Sequence, residues 1–214
     1  HILKAPTSLF LAITGKCNLN CKHCNVGDHQ NRNYFELSTE QWLNFFSEME
    51  RLKIFRCRIS GGEPFMRKDF FDLLDDLQKR NIWVDINTNG ILITEEKAKR
   101  LSRYKYIGNI MVSLDGSNPE TYESIRGKGT FQHAMRGIKY LSRYNGRRVS
   151  FYCSLGRTNV HDMENMIIFV NQLPVSGIKF NFIMPGGNAN QYLRYLSLTD
   201  EERRKTSFKL FELS

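Results

Sequence analysis

The chain has 214 residues, 41% of them hydrophobic and 25% charged, with a formal net charge of +9. That length suits one domain with a substantial core, and no stretch approaches the roughly 18 apolar residues that a membrane span needs. The five cysteines are an odd number, and three lie within eight residues; that argues against a disulfide framework and for a metal or cluster site in a reducing compartment such as the cytoplasm. Lys and Arg are scattered along the chain, which fits either an anionic partner or a solvated basic surface. With no single basic block, nucleic acid is not the favoured partner.

Taken in order, the segments read as strands alternating with helices. Ser8 to Ile13 is a short apolar strand, followed by a polar loop carrying CNLNCKHC. Ser38 with Gln41 three residues on makes a capping box, and Trp42, Phe45, Phe46, Met49 and Leu52 mark the buried stripe of the helix it opens. Phe55 to Ser60 is a second strand, ending at Gly61-Gly62. Asp69 is placed to cap a helix whose Phe70, Leu73, Leu74 and Leu77 share one face. Trp83 to Thr88 is a third strand, and Thr94 starts a helix with Glu95 and Glu96 in its positive first turn.

Asn109 to Leu114 is a fourth strand. Asn118-Pro119 begins a short helix, the glycines of RGKGT break it, and Thr130 begins another through Ala134, Ile138 and Leu141. Val149 to Leu155 is a fifth strand, and Met163, Met166, Ile167 and Val170 stripe the next helix. Gly177 to Met184 is a sixth strand, and Thr199 with Glu202 caps a last helix. Six βα units imply a parallel sheet with right-handed crossovers. They are too few for a closed eightfold barrel, so the expected fold is a partial, TIM-like (β/α)6 barrel, with a flat doubly wound sheet as the alternative. In both, sites lie at the C-terminal ends of the strands. The sequence opens on His1 and stops inside a helix, so a native N-terminus and further C-terminal sequence are expected beyond it.

Cys17, Cys21 and Cys24 follow strand 1 in a C-x3-C-x2-C spacing. His23 is a conceivable fourth ligand for zinc, but adjacent residues rarely bind one tetrahedral ion. A [4Fe–4S] cluster normally takes four cysteines; held by three, it has one iron open. Cys57 and Cys153 lie inside strands and read as small core hydrophobes.

This cysteine loop, with GGEP (Gly61 to Pro64) at the end of strand 2, resembles the radical S-adenosylmethionine (radical SAM) superfamily. NTNG (Asn87 to Gly90), SLDG (Ser113 to Gly116) and IRGKGTF (Ile125 to Phe131) match in the same order, and nearly the whole chain is covered. The resemblance implies a [4Fe–4S] cluster on Cys17, Cys21 and Cys24, with SAM chelated at the open iron. Reductive cleavage of SAM would then give a 5′-deoxyadenosyl radical that takes hydrogen from a substrate. It further implies that Gly61, Gly62 and Glu63, with Pro64 completing the motif, meet the SAM amino group, and that the His23 backbone meets adenine. Ser113 and Asp115 would serve the ribose or carboxylate, and Arg126 the carboxylate. Thr88, Asn89, Ser154, Asn159 and Met184 are further cofactor candidates. Asn159 could instead cap helix 5, and Met184 could be core.

The SLDG to IRGKGTF stretch is similar to the subgroup that carries a C-terminal SPASM or twitch extension. That subgroup implies maturation of a peptide or cofactor precursor, with flavodoxin or ferredoxin as reductant. A dehydrogenase or epimerase of a sugar or aminocyclitol is the alternative, and a non-enzymatic zinc or nucleic-acid module a remote one. No cysteine follows Cys153, so residues 1–214 are expected to be the core domain alone, with the extension absent, disordered or cut off.

Overall fold

The computed structural model describes residues 5–27 and 35–213. Six strands form one parallel sheet: β1 (Ser8–Thr14), β2 (Arg56–Gly61), β3 (Trp83–Thr88), β4 (Ile107–Ser113), β5 (Val149–Leu155) and β6 (Ile178–Phe182). They lie side by side in chain order, each hydrogen-bonded to the next. This order decides between the two expected architectures. A doubly wound sheet reverses its order at a switch point; here every right-handed crossover leads to the same face. The helices that connect the strands therefore cover one side, and the sheet is the partial barrel.

The intervening helices are α1 (Thr39–Arg51), α2 (Phe70–Lys79), α3 (Glu95–Ser102), α4 (Pro119–Arg126), α5 (Phe131–Asn145) and α6 (Met163–Asn171), followed by α7 (Ala189–Leu196) and α8 (Asp200–Glu212). Both capping boxes form, at Ser38–Gln41 and Thr199–Glu202. Thr94 and Asn118 each accept a backbone N–H from the first turn of their helices. Asp69 stands at the start of α2 without capping it. Its carboxylate is taken by Arg67, at 2.8 and 2.7 Å, and by Thr39 at 2.7 Å. In α1, Trp42, Phe46 and Met49 are buried, but Phe45 and Leu52 flank the contact and are 38% and 44% exposed. α7 is an element the sequence reading lacked, although Ala189, Leu193 and Leu196 have helical spacing.

Alternation sorts the sheet into two faces. Leu11, Ile13, Cys57, Ile59, Val84, Ile86, Ile110, Val112 and Phe151 join the main core beneath the helices. Cys57 and Cys153 are fully buried, as small core residues are. The residues between them, such as Arg58, Asp85 and Ser150, face the other side, the barrel lumen. The lumen is thus lined largely by polar groups, while the apolar area is spent against the helices.

Candidate cofactor site

The strand ends meet at a cavity of about 260 Å³ at the C-terminal rim of the barrel. Cys17, Cys21 and Cys24 line it from the β1–α1 loop, together with His23. Gly61 and Gly62 line it from β2, Thr88 and Asn89 from β3, and Ser113 from β4. Arg126 reaches in from the last turn of α4, Ser154 from β5, and Met184 from just past β6. Glu63, Pro64, Asp115 and Asn159 do not line the cavity; they stand behind its wall.

Two glycines let β1 and β2 close at the rim. Gly61 has φ +122°, and a Cβ there would lie 2.2 Å from the Thr14 carbonyl oxygen. At Gly62 a Cβ would lie 2.2 Å from the Lys16 carbonyl oxygen. Without side chains, the Gly62 N–H donates to Thr14 O and the Glu63 N–H to Lys16 O, both at 2.8 Å. Pro64 then opens a 3-10 turn, where its missing N–H costs nothing.

Glu63 is fully buried and serves as a clamp. Its carboxylate accepts Thr88 Oγ1 at 2.8 Å, the Asn89 N–H at 2.7 Å and the Phe65 N–H at 3.3 Å. Burial nevertheless raises its pKa, because those bonds offset only part of the desolvation. Asn89 passes the constraint on, donating from Nδ2 to Asn18 Oδ1 at 2.8 Å within the cysteine loop.

A second clamp stands opposite. Arg126 donates from Nε to Asp115 at 2.6 Å, and its Nη1 lies 3.9 Å from Cys21 Sγ. Asp115 also accepts the Ser154 N–H at 2.8 Å. Burial is the largest influence and opposes the Asp115 charge, but the Arg126 guanidinium, His23 and the Ser154 N–H together outweigh it, and the carboxyl pKa is lowered. His23 Nε2 is 3.5 Å from the same carboxylate. Burial lowers the His23 pKa more than Asp115 raises it. Asn159 does not cap a helix with its side chain. Its Oδ1 accepts the Gly156 N–H, and its Nδ2 donates to the carbonyls of Asp115 and Ser154.

The donor set fits a cluster. None of the three cysteines is in a disulfide. Burial raises the thiol pKa of Cys17, and that of Cys21 to about 12. Three thiolates here would therefore need bound metal to supply positive charge, and Arg126 adds one fixed cation beside Cys21. Among the described residues no three His, Cys, Asp or Glu side chains converge as ligands of a single ion. In a cubane each thiolate meets a different iron, so spaced sulfurs suit a cluster better than a lone zinc.

Several contributors were missed from sequence. Tyr152 and Asn87 line the cavity; strand alternation was the signal for both. Asn188 bonds the loop itself, donating to Asn20 Oδ1 at 2.6 Å and Cys21 O at 3.2 Å. Nothing local in MPGGNAN announces that contact.

The sequence profile of the Radical SAM superfamily matches residues 11–170. The chain belongs to the radical SAM superfamily, and its cofactors are that superfamily's [4Fe–4S] cluster and SAM. It is 32% identical over 203 residues to the mycofactocin maturase MftC of Mycolicibacterium smegmatis, covering 95% of this chain and 51% of that one. It is 28% identical over 192 residues to the AdoMet-dependent heme synthase of Methanosarcina barkeri, covering 87% of this chain and 53% of that one. The fold superposes on Streptococcus suis SuiB bound to S-adenosylmethionine with a TM-score of 0.82 at 17% identity, over 97% of this chain and 47% of that chain. The chain spans about half the length of the curated relatives it matches. No helix among the described residues is long and apolar enough to cross a membrane.

Proposed function

We propose that this chain is the core domain of a maturase that uses radical SAM chemistry on a peptide or a cofactor precursor. The observation that carries the reading is that three cysteine thiols, the Gly61-Gly62 turn, Ser113 and Arg126 line one cavity at the strand ends. When bound, a cluster held by three cysteines offers one open iron to SAM and the electron that cleaves it.

In this reading Cys17, Cys21 and Cys24 are the ligands. Arg126 stabilises the Cys21 thiolate and is available to the SAM carboxylate. Gly61 and Gly62 let the backbone approach the methionine end. Glu63 holds Thr88 and Asn89 in register, Pro64 fixes the turn after it, and Asp115 and Asn159 hold Arg126 and Ser154 in place. Ser113 and Ser154 offer hydroxyls to the ribose. His23 and Met184 flank the adenine. The substrate class follows the similarity to proteins named as a mycofactocin maturase and a heme synthase. The chemistry requires a reduced environment, so we place the protein in the cytoplasm with a flavodoxin or ferredoxin as electron donor.

Anaerobic reconstitution tests the reading. The expected result is a brown protein with about four irons and four sulfides per chain that makes 5′-deoxyadenosine from SAM on addition of dithionite. A colourless protein that takes up zinc but neither iron nor sulfide, and leaves SAM intact, would overturn it.

A further inference from the structure

Below the cofactor cavity, the barrel lumen carries a charge imbalance that nothing in the radical machinery uses. Arg56 and Arg58 on β2 alternate with Cys57 and Ile59, which are fully buried against the helices. Both guanidiniums therefore face the lumen, as does Asp85 on β3, which is in register with Arg58. Asp85 is 6% exposed and is taken up by Arg56, which donates to its two oxygens at 2.9 to 3.1 Å. Gly108 on β4 makes room for this pair; a Cβ there would lie 2.7 Å from Asp85 Oδ1.

Arg58 is left over. Its Nη2 stands 3.6 Å from Asp85, beyond hydrogen-bond reach, and its side chain is 42% exposed. Its Nε is buried and has no partner in the protein. Two guanidiniums thus share one carboxylate whose two oxygens Arg56 already engages, and a desolvated donor without an acceptor is costly. Lys179, paired in register with Tyr152, adds a further positive charge on the same face. One row higher, Asn87 lines the cofactor cavity and leaves its Oδ1 buried without a donor. The lumen therefore leaves Arg58 with only a shared carboxylate beyond hydrogen-bond reach, and Asn87 Oδ1 without a donor N–H.

We propose that Arg58 is the anchor for a substrate carboxylate, making this barrel selective for an acid that also presents an N–H. The proposal rests on the radical SAM reading of the cavity above. Arg58 lies two residues before Ser60, which lines that cavity, so the anchor sits about 7 Å below the rim. An acid held there by a planar, bidentate guanidinium would place a carbon some bonds away from its carboxylate at the level where hydrogen is abstracted. A peptide with an acidic residue or a free C-terminus meets the requirement, and so does a cofactor precursor carrying a side-chain acid.

The test uses the reconstituted holoprotein with SAM bound and follows the rate at which phenylglyoxal modifies Arg58, resolved by peptide mass mapping. The probe is glutarate, with neutral glutaramide, potassium chloride of equal ionic strength, and inorganic phosphate as comparisons. At about 10 mM glutarate and a Kd of roughly 1 mM, modification of Arg58 should slow roughly tenfold. The three comparisons should leave the rate within about twofold. Arg58 that is unreactive without glutarate, unprotected by it, or protected as well by a comparison overturns the proposal. An untreated portion of the same preparation is assayed for 5′-deoxyadenosine. Its formation without glutarate protection sinks the Arg58 anchor alone, whereas failure to form it sinks the functional reading.

Discussion

Arg126 joins two parts of the site that lie far apart in sequence: its Nε donates to Asp115 at 2.6 Å, and its Nη1 lies 3.9 Å from the Cys21 thiol. Both members of the ion pair are at most 7% exposed. The pair thus fixes a positive charge beside a cysteine from the first loop, using a helix that begins after strand β4. Removing one partner would strand the other in a medium that solvates it poorly. Asp115→Asn should lower unfolding free energy by about 3 kcal/mol, and adding Arg126→Met should recover part of that. Urea unfolding of the apo protein measures both; a double variant no more stable than the single would refute the pair's role.

Cys21→Ala should abolish iron and sulfide uptake on reconstitution. Cys57→Ala should retain them, because Cys57 is a core residue on the helix side of β2, and should cost only about 1 kcal/mol for the small cavity left. Iron content and absorbance distinguish the two. Iron in the Cys21 variant at the level of the unaltered protein would contradict the ligand assignment.

Glu63→Gln keeps the shape of the clamp but turns an amide toward groups that donate. Thr88, Asn89 and Phe65 would then compete for one oxygen. The variant should assemble the cluster yet form 5′-deoxyadenosine about tenfold more slowly, as loss of an outer hydrogen-bond partner typically does. A rate equal to that of the unaltered protein would show that the clamp does not position the rim.

Gly62→Ala forces a methyl to within 2.2 Å of the Lys16 carbonyl oxygen. Because the obstacle is backbone, relief requires the strand ends to part. Stability should fall by about 2 kcal/mol, read from the urea midpoint. A variant with an unchanged midpoint would mean that the β1–β2 rim is more pliable than its hydrogen bonds imply.

Acid sensitivity should be traceable to Asp69. Its hydrogen bonds from Arg67, with burial opposing, lower its pKa from 3.8 to about 2. The folded-state value lies below the unfolded one, so the stabilisation is complete above pH 3.8 and vanishes as pH falls toward 2. Solvent screening limits it to roughly 1 kcal/mol. Asp69→Asn should remove that much at pH 6 and little at pH 2; a deficit of the same size at both would dissociate it from Asp69 ionisation.

Much of the fold was legible because its signals are local. The strand Trp83–Thr88 and the boxes at Ser38 and Thr199 depend on residues within a turn of one another, where periodicity and capping act. Asp69 escaped the same logic. Its position suited a cap, but Arg67, itself tied to the Ile13 carbonyl at 2.9 Å, offered a stronger partner. The rim residues were readable in kind, because glycines, serines and cysteines at strand ends have few structural reasons to be there. Their division into cavity lining and buried support was not readable. Glu63 and Asp115 resemble their neighbours in sequence and differ only in what lies behind them.

The sequence by itself determined the six βα units, the order in which they follow one another, and the donor set in CNLNCKHC. These are short-range properties, set by side-chain alternation and backbone preference. Only the tertiary structure decided that the strand-connecting helices share one face, that Asn188 grips a loop more than 160 residues earlier, and that Arg58 shares Asp85 with Arg56. Those outcomes depend on which groups desolvate together, and burial is a property of the assembled barrel that no single segment carries.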